Sequence, residues 1–456
     1  MKEFHTINPF HQSPIKSFQK HDISIVNELI ETTHQSFLDQ KNLDISIRGD
    51  RLMALSKLLE KNKQVLGELM TKEMGKPVNQ AISEVEKCIW VCEYYVENAV
   101  KFLSPKTIET EAYESYVTYE PLGVILAIMP WNFPLWQVFR FLAPALMIGN
   151  TVLLKHAPNV LGTALRLQGL VDQAGFDKGT LQNLIIDVAL VEKVISHKYV
   201  KGVTLTGSET AGQSVAEIAG KNLKKCVLEL GGSNAFIVHQ DAQIDKAVEI
   251  GVQARMQNNG QSCIAAKRFI IHNSIFEEYL ERYKNVLKSL KCGDPMLEST
   301  DIGPLARPDL ADKLETQVKK SIKAGAKLVM GGQREGALYY PTILASVKPG
   351  MPAFDEELFG PVSSFIGYNH IEEAVSLSNL STFGLGVSIF TQNLDLAKSL
   401  ISKFEDGAVF INELVKSDPR LPFGGTKRSG YGRELSLDGL REFVNIKTVY
   451  ITKLDK

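Results

Sequence analysis

The periodicity of apolar and polar positions changes along the chain and predicts where its helices and strands lie. Apolar side chains recur at helical spacing through residues 24–102, most clearly over 47–70 and 85–100, on either side of Gly75-Lys76-Pro77. Residues 107–120 instead alternate with a period of two and are rich in Thr and Tyr. The first region is therefore predicted to be helical, and the second to form a strand or hairpin.

The stretch from Gly123 to Lys155 is the most apolar part of the chain, but its pattern predicts a βαβ unit rather than a membrane span. We expect a strand over 123–129, a helix from Pro134 to about Ile148, and a strand over 151–155. Prolines and polar residues leave apolar pieces that are too short to cross a bilayer. The interrupting residues are Pro130, Asn132, Pro134, Arg140 and Pro144.

The alternation of strand and helix continues downstream and determines the predicted fold class. A second βαβ unit ends near residue 230, and after Gly231-Gly232 strands and helices alternate again as far as residue 411. Alternation with apolar strands predicts an α/β fold built on open parallel sheets. A glycine-rich segment over 422–433, a short helix and a strand-like tail over 447–452 follow.

Composition narrows the class of protein. The chain has 456 residues, 44% of them hydrophobic and 23% charged, with a formal net charge of -1, as in a globular protein of about three domains. The lack of a basic excess argues against nucleic-acid binding, and residues 1–24 lack the apolar core of a signal peptide. Five cysteines without framework spacing fit a reducing compartment, so we expect a cytoplasmic protein. No metal site is predicted, because Cys88 and Cys92 have no neighbouring His or Cys ligands.

One cysteine has the local setting of a nucleophile. Cys263 lies in a loop rich in Gly and amide side chains, between a helix-like run and the strand-like Phe269-Ile270-Ile271. Because the thiolate is the reactive form and a free thiol is mostly protonated at neutral pH, a reactive Cys needs nearby N–H dipoles or cations. The alternative is a buried, unreactive thiol, since free Cys is among the most buried residue types.

Two polar residues in apolar surroundings are candidates to act with Cys263. Glu229 lies within an apolar strand before Gly231-Gly232, where burial would raise its pKa towards neutrality and suit it as a general base. Alternatively, it is a buried ion-pair partner. Asn132 lies at a strand-to-helix turn, where its amide N–H could donate to a developing oxyanion, or could simply form an Asx turn or helix cap.

A cofactor site is predicted at the carboxyl ends of the strands. Gly207-Ser208 precede a helix and offer unpaired N–H groups and a hydroxyl to a phosphate, although Ser208 could also be a simple helix cap. Lys155 ends a strand where open α/β sheets bind ligands. The G-x-G-x-x-G fingerprint is missing, so no ordinary dinucleotide-binding motif is predicted.

Short motifs around these residues occur in the order of one enzyme family. They are Pro130-Trp131-Asn132-Phe133-Pro134, Thr206-Gly207-Ser208, Leu228-Glu229-Leu230-Gly231-Gly232, Gly260-Gln261-Ser262-Cys263, Glu356-Glu357-Leu358-Phe359-Gly360-Pro361-Val362 and Pro422-Phe423-Gly424-Gly425. With these motifs the chain resembles the NAD(P)-dependent aldehyde dehydrogenases along nearly its whole length. The run Lys155-His156-Ala157-Pro158-Asn159 and the compact N-terminus look most like the bacterial succinate-semialdehyde dehydrogenase branch.

The resemblance implies a fold of three parts. A cofactor-binding domain would cover residues 1–106 and 121–231, and a catalytic domain would cover 232–424. A small β oligomerisation domain would combine 107–120 with 433–456, and its tail strand would join the sheet of a neighbouring subunit. Edge pairing would stabilise a polar hairpin and a terminal strand, so a homodimer or homotetramer is expected.

The resemblance also implies the reaction, which is oxidation of an aldehyde to a carboxylate with NAD or NADP. Cys263 would form a thiohemiacetal and then a thioester, Asn132 and the Cys263 N–H would hold the oxyanion, and Glu229 would activate water. The resemblance further implies three groups of cofactor contacts. Glu357 and Phe359 would hold the nicotinamide ribose, and Lys155 would hold the adenosine ribose. Ser208 and Trp131 would bind the diphosphate, where Gly207 gives the backbone room.

The chain departs from the family pattern at three places. Pro158 stands where many NAD-selective members carry an acid three residues after the lysine, so NADP becomes admissible. The segment Ile185-Ile186-Asp187-Val188-Ala189-Leu190 replaces a loop with spaced glycines, which puts the diphosphate contact in doubt. Gln257 replaces an arginine that some semialdehyde enzymes carry six residues before the cysteine.

A semialdehyde also needs a binding group for its carboxylate. Arg140 lies about two helical turns from Asn132 and is the candidate cation, with a structural ion pair as the alternative. Ser417 matches a hydroxyl at the mouth of the substrate tunnel in semialdehyde enzymes.

The other functions considered are a broad-range or CoA-acylating aldehyde dehydrogenase and a non-catalytic, crystallin-like use of the fold. Glu229 argues against the acylating type, and the set Cys263, Glu229 and Asn132 argues against the non-catalytic one.

Overall fold

A computed structural model of the protein describes residues 2–454. The ends of the predicted first and third domains, residues 1 and 455–456, lie outside this range. Helices are numbered in chain order. They are α1 (Ile23–Gln40), α2 (Ile45–Met74), α3 (Val78–Leu103), α4 (Trp136–Ile148), α5 (Leu161–Gln173), α6 (Val191–Ser196), α7 (Glu209–Lys221), α8 (Ile244–Met256), α9 (Phe276–Ser289), α10 (Pro308–Lys323), α11 (Pro352–Asp355), α12 (Ile371–Asn379), α13 (Leu394–Leu400) and α14 (Ser436–Arg441).

The strands are numbered in the same way. They are β1 (Glu3–Asn8), β2 (Ser13–Gln19), β3 (Lys106–Thr107), β4 (Glu114–Pro121), β5 (Val124–Met129), β6 (Thr151–His156), β7 (Leu181–Asn183), β8 (Val200–Thr206), β9 (Lys225–Glu229), β10 (Asn234–Val238), β11 (Ala266–His272), β12 (Lys327–Met330), β13 (Arg334–Glu335), β14 (Leu338–Tyr339), β15 (Thr342–Ala345), β16 (Val362–Tyr368), β17 (Phe383–Gly384), β18 (Val387–Phe390), β19 (Val409–Ile411), β20 (Thr426–Lys427), β21 (Gly430–Tyr431) and β22 (Val444–Ile451).

The first large sheet has six strands in the order β21-β9-β8-β5-β6-β7, parallel except for β21 at its edge. Alternate residues of the central β5 point to opposite faces. Ile125 and Ala127 pack in the core formed with α2 to α5, whereas Val124 and Leu126 pack in the core formed with α1, α6 and α7. Both faces are covered by helices, which explains why these strands are apolar throughout.

The second large sheet has seven strands in the order β12-β15-β16-β11-β10-β18-β19, parallel except for β12. In β10, Ala235 and Ile237 contribute to the core shared with α10, α12 and α13. Phe236 and Val238 contribute to the core on the other face, with α8 and α9. The predicted α/β fold with two open parallel sheets is therefore confirmed.

The third sheet is small and antiparallel, with the order β22-β4-β3. Its strands include most of the segments predicted to be a hairpin and a tail strand. Residues 444–451 pair with 114–121 in unbroken register. β22 is an edge strand, and its side chains Ile446 and Tyr450 are exposed.

The N-terminal segment contains structure that the sequence pattern did not predict. β1 and β2 form an antiparallel hairpin in which Thr6 and Phe18 are buried. Phe18 packs with Leu161 at the start of α5 and with Ile185. This hairpin therefore covers the end of the six-stranded sheet near Pro158.

A fully buried arginine at the end of α8 ties the Cys263 loop to the segment that leads into β16. The Arg255 guanidinium donates hydrogen bonds to the carbonyl oxygens of Val362 (2.7 Å), Gly260 (3.3 Å) and Leu358 (2.7 Å). It also donates to the carbonyl of Gly360. Burial lowers the pKa of Arg255 to about 10, so the side chain stays charged at neutral pH. It holds the Cys263 loop against the segment that carries Glu357 and Phe359.

We expect Arg255→Met to destabilise the protein strongly. The substitution keeps much of the side-chain volume but leaves several buried carbonyl oxygens without a donor, a loss of roughly 3 kcal/mol or more. The matched control is Arg282→Met, which removes an arginine that is 43% exposed on α9. Urea unfolding followed by fluorescence should show a clearly lower midpoint for Arg255→Met than for the control, and equal midpoints would contradict the assignment.

Candidate active site

The loop before Cys263 has an unusual backbone conformation that its sequence permits. Asn258, Asn259 and Gly260 have φ values of +56°, +57° and +73°, in the left-handed region that Asn and Gly tolerate best. The Asn258 amide donates to the carbonyl oxygens of Asn132 (2.7 Å) and Gln261 (3.0 Å). These bonds hold the unfavourable conformation and join the Cys263 loop to the Asn132 turn.

A buried lysine fixes the cysteine itself. Lys267 Nζ donates to the carbonyl oxygens of Ser262 (2.9 Å) and Cys263 (3.0 Å), and lies 3.2 Å from Glu357 Oε1. The Glu357 carboxylate also accepts a hydrogen bond from Gly232 N at 3.0 Å. A Cβ on Gly232 would lie only 2.5 Å from the Cys263 carbonyl oxygen, so the backbone must be glycine here. The predicted nucleophile and Glu357 therefore share one polar cluster.

Two cavities meet at Cys263. The larger has a volume of about 900 Å³ and lies against α3, α4 and the segment 412–417. The smaller has a volume of about 200 Å³ and lies at the carboxyl ends of the strands of the six-stranded sheet. Cys263 and Gln137 line both cavities. A group in one cavity can therefore reach a group in the other only at the sulfur atom and its surroundings.

The smaller cavity collects most of the residues predicted to bind a cofactor. Trp131 and Phe359 meet edge to face with their ring centroids 5.7 Å apart. The Ser208 hydroxyl accepts a hydrogen bond from Ala211 N at 3.3 Å and so also caps α7, as the sequence allowed. The predicted residues in the wall are Trp131, Asn132, Gly207, Ser208, Glu357 and Phe359.

Lys155 lies outside the walls of both cavities. It is in β6, mostly buried, and its Nζ is 3.5 Å from the carbonyl oxygen of His156. Within residues 2–454 no carboxylate lies within ion-pair distance of this ammonium, and burial lowers its pKa while Asp187 opposes that shift. Asp187 itself pairs with Lys20 at 2.8 Å. Pro158, three residues further on, is exposed at the start of a short 3-10 turn.

Asn132 is 4% exposed and is held by a buried polar network. Its Nδ2 donates to the Gln261 carbonyl at 3.1 Å, which leaves its second N–H for another acceptor.

The Glu84 carboxylate accepts hydrogen bonds from the backbone N–H groups of Leu135 (2.8 Å) and Trp136 (2.9 Å). Because these bonds cap the helix at this point, α4 begins at Trp136 rather than at Pro134 as predicted.

The Cys263 thiol is protonated at neutral pH in the free protein. Burial raises its pKa to about 11, while the positive charges of Arg140 and Lys267 oppose the shift. Generating the nucleophile therefore requires a base or a change in the surroundings of the sulfur, since only the thiolate attacks a carbonyl.

Glu229, the candidate general base for the later activation of water, is fully buried. Its carboxyl has no hydrogen-bond partner in the described part of the chain. Burial and the nearby Glu434 raise the pKa of Glu229 well above its usual range, while the charges of Arg140 and Arg433 oppose the shift. A Cβ on Gly424 would lie 2.9 Å from Glu229 Oε1, and this glycine leaves room for the carboxyl. Glu229 lies in the wall of neither cavity, so it must rotate to reach a water molecule beside Cys263.

Arg140 and Ser417 both lie in the wall of the larger cavity, together with Gln257. Arg140 Nε is 2.6 Å from Glu434 Oε2, and its guanidinium stacks over Phe423 with the central carbon 4.4 Å from the ring centroid. Arg140 thus has the structural ion pair that was its alternative interpretation, although it also faces the cavity. Its charge is largely compensated by Glu434.

Sequence reasoning missed four residues of this region. Lys87 and Gln137 lie in the cavity wall, and Lys267 and Glu434 are buried beside Cys263 and Arg140. Lys87 could have been identified from the sequence, because a charged residue among apolar neighbours is rarely buried without a role. Its neighbours are Glu86-Lys87-Cys88-Ile89-Trp90-Val91. Lys267 and Glu434 offered no comparable signal.

Among residues 2–454, no helix combines the length and the apolar character needed to cross a membrane. The same residues contain no group of three or more His, Cys, Asp or Glu side chains arranged to hold a metal ion.

Comparison with known proteins agrees with this geometry. Residues 1–449 match the aldehyde dehydrogenase family. The chain is 47% identical over 449 residues to a Synechocystis sp. protein named "Probable succinate-semialdehyde dehydrogenase [NADP(+)]", covering 98% of this chain and 99% of that one. It is 44% identical over 453 residues to the succinate-semialdehyde dehydrogenase [NADP(+)] of Mycobacterium avium, covering 98% and 96%.

Among solved structures, the succinic semialdehyde dehydrogenase of Streptococcus pyogenes in complex with NADP+ superimposes with a TM-score of 0.96 at 38% identity, over 99% of this chain and 100% of that one. Similarity of this extent in both sequence and backbone, with the polar cluster around Cys263, leads to one conclusion. The chain belongs to the aldehyde dehydrogenase family.

Proposed function

We propose that the protein oxidises succinate semialdehyde to succinate with NADP, and also accepts NAD. The position of Cys263 supports this proposal most directly. Cys263 lines both the larger cavity, whose wall includes many polar side chains, and the smaller cavity, which contains the residues predicted to bind the cofactor. The names of the relatives from Synechocystis sp. and Mycobacterium avium support both the substrate and the cofactor.

The first half of the reaction takes place at the sulfur. Cys263 Sγ releases its proton to solvent water and attacks the aldehyde carbon, and the carbonyl oxygen becomes an oxyanion. The free N–H of Asn132 Nδ2 and the backbone N–H of Cys263 are the proposed donors to that oxyanion, each worth about 3 kcal/mol in the transition state. A nicotinamide cofactor held between Trp131, Glu357 and Phe359 would supply the hydride acceptor for this adduct. Cys263 then carries the acyl group as a thioester.

The second half of the reaction requires water and a base. Glu229 rotates from its buried position towards the thioester and takes a proton from the attacking water. The raised pKa of Glu229 makes its carboxylate a stronger base than an exposed glutamate. Hydrolysis releases the carboxylate and returns the thiol. A CoA-acylating enzyme would have no use for this base.

The residues of the smaller cavity fit a nicotinamide cofactor. Glu357 already accepts a hydrogen bond from Gly232 N and pairs with Lys267, so its carboxylate is held in place to receive ribose hydroxyls. Trp131 and Phe359 provide apolar walls, and the N-terminal end of α7 beside Gly207 and Ser208 offers N–H groups to a diphosphate. Lys155 and Pro158 would meet the adenosine ribose.

The assembly, domain roles and location are part of the same proposal. We propose that the segments 1–106 and 121–231 bind the cofactor and that 232–424 supply the nucleophile. Residues 107–120 with 433–456 would join subunits into a homodimer or homotetramer in the cytoplasm. The exposed apolar side chains of the edge strand β22, among them Ile446, support the assembly.

The proposed function is tested with a panel of aldehydes assayed with NAD and with NADP. We expect kcat/KM to be highest with succinate semialdehyde and NADP, and at least about tenfold higher than with butanal, as a charge-assisted contact to the carboxylate requires. Cys263→Ala should abolish NADPH formation while NADP binding measured by fluorescence persists. Substantial oxidation by that variant would show that the nucleophile is misassigned.

We expect Glu229→Gln to separate the two halves of the reaction. Amide side chains are not bases, so thioester hydrolysis should slow by at least about 100-fold while the first hydride transfer is less affected. Stopped-flow absorbance should show a burst of NADPH followed by weak turnover. The matched control is Glu413→Gln, which removes a carboxylate from the wall of the larger cavity and should retain full turnover. Equal slowing of the burst and the steady state would contradict the base role.

We expect Pro158→Glu to reduce the use of NADP far more than the use of NAD. A carboxylate beside the 2′-phosphate would repel it, and about 1.4 kcal/mol of repulsion lowers kcat/KM with NADP about tenfold relative to NAD. Pro158 is exposed, so the fold should tolerate the change. The control Pro158→Ala removes the ring without adding a charge. If Pro158→Glu lowers the use of both cofactors equally, the side chain is remote from the ribose.

A further inference from the structure

The larger cavity contains one cation that has no carboxylate within ion-pair distance in the described part of the chain. Its wall includes four basic side chains. Arg140 pairs with Glu434 at 2.6 Å, Lys246 with Glu249 at 3.0 Å, and Lys416 with Glu413 at 2.8 Å. Lys87, from α3, has no carboxylate within ion-pair distance among residues 2–454. A cation that faces a cavity without a partner is suited to bind an anion.

The acidic residues nearest to Lys87 are already occupied. Glu84, one turn earlier on α3, pairs with the buried Lys76 and caps α4. Asp418 is held by Arg420, with Nε at 2.8 Å from Oδ1 and Nη2 at 2.6 Å from Oδ2. Neither carboxylate can move to Lys87 without breaking these contacts. The ammonium therefore keeps its charge available to a ligand.

The hydrogen bonds of Ser417 point to the same place. The Ser417 hydroxyl oxygen accepts one hydrogen bond from Lys87 Nζ at 2.9 Å and another from Trp136 Nε1 at 2.9 Å. A hydroxyl has two lone pairs and one proton, so its proton must be donated to a third group. In the described part of the chain no acceptor for this proton is present. Ser417 is 5% exposed, which makes an unsatisfied donor costly unless a ligand accepts it.

The surroundings of Lys87 would favour an anionic ligand. Its Nζ lies 4.5 Å from the centroid of the Trp136 ring. Burial and, to a smaller extent, the charge of Arg140 lower the pKa of Lys87 to about 8, while Cys88, Asp418 and Glu84 oppose the shift. A bound carboxylate would relieve this destabilisation, because it would replace the lost hydration of the ammonium with a charge-assisted hydrogen bond.

We propose that the Lys87 ammonium and the Ser417 hydroxyl bind the carboxylate of the substrate, and that Lys87 makes the enzyme select short aldehydes that carry an anionic group at the far end. The inference rests on the proposed function and assigns its substrate class to a named cation. Arg140, paired with Glu434, would then hold the wall of the cavity and contribute less to selection.

The test compares succinate semialdehyde with butanal, which has the same number of carbon atoms and no charge. In Lys87→Met, which keeps an unbranched apolar chain of similar length, the ratio of kcat/KM for the two aldehydes should fall about 10- to 100-fold, mostly through KM. Lys87→Arg should recover part of the ratio because it restores the cation. The matched control is Lys246→Met, a lysine in the same wall that is 56% exposed and already paired. It should keep the wild-type ratio.

A second measurement does not depend on turnover. Succinate should raise the melting temperature of the wild-type protein, since a ligand that binds only the folded state stabilises it. Uncharged succinamide should have little effect. In Lys87→Met the shift caused by succinate should be lost, whereas in Lys246→Met it should remain.

The outcomes separate the two proposals. An unchanged aldehyde ratio together with an unchanged succinate shift in Lys87→Met would overturn the role of Lys87, even if the wild-type protein prefers succinate semialdehyde. If the wild-type protein shows no such preference, the proposed substrate is wrong. The succinate shift then still decides whether Lys87 binds a carboxylate, because its loss in Lys87→Met supports that role and its persistence contradicts it.

Discussion

The buried guanidinium of Arg255 holds together the parts of the molecule on which the site depends. Its partners are the carbonyl oxygens of Gly260, Leu358, Gly360 and Val362, which belong to the Cys263 loop and to the segment leading into β16. A planar cation with several N–H donors can satisfy that many converging carbonyls at once, which a lysine cannot. The nucleophile and the Glu357 carboxylate are thereby fixed relative to each other.

Buried charges serve the same purpose elsewhere in the site, and each one joins two segments that are distant in sequence. Lys76 with Glu84 supports the start of α4 beside Asn132, and Lys267 joins the Cys263 carbonyl to Glu357. Arg140 with Glu434 lies beside Glu229 and helps set its ionisation. Such pairs contribute little net stability, but removing one partner leaves an uncompensated buried charge. These pairs therefore hold the segments around Cys263 in place, and among the basic side chains in the wall of the larger cavity Lys87 is the one without a carboxylate at ion-pair distance in residues 2–454.

Much of the fold could be predicted because its elements are long and strongly periodic. The apolar runs of β5, β6 and β8 and the amphipathic helices between them were recognised from spacing alone. The central strand β16, Val362–Tyr368, was not, because Ser363 and Ser364 interrupt its apolar run. Both serines are fully buried, and the Ser363 hydroxyl pairs with the Tyr283 hydroxyl at 2.8 Å. The partner of Ser363 lies 80 positions away in the chain, so spacing along the sequence could not reveal this strand.

By itself, the sequence determined the α/β class, the order of the strands and helices, and the identity of Cys263, Asn132 and Glu229 as candidates, because these depend on local periodicity and on short motifs. The tertiary structure decided which groups share a cavity and which charges are compensated. Arg140 and Lys87 looked similar along the chain, as basic residues among apolar neighbours. Folding gives Arg140 a carboxylate 294 positions later, at Glu434, and places Lys87 against the Ser417 hydroxyl and the Trp136 ring, with no carboxylate at ion-pair distance among residues 2–454. Compensation of charge acts through space at a few ångströms, and no pattern of nearest neighbours in the chain can supply that information.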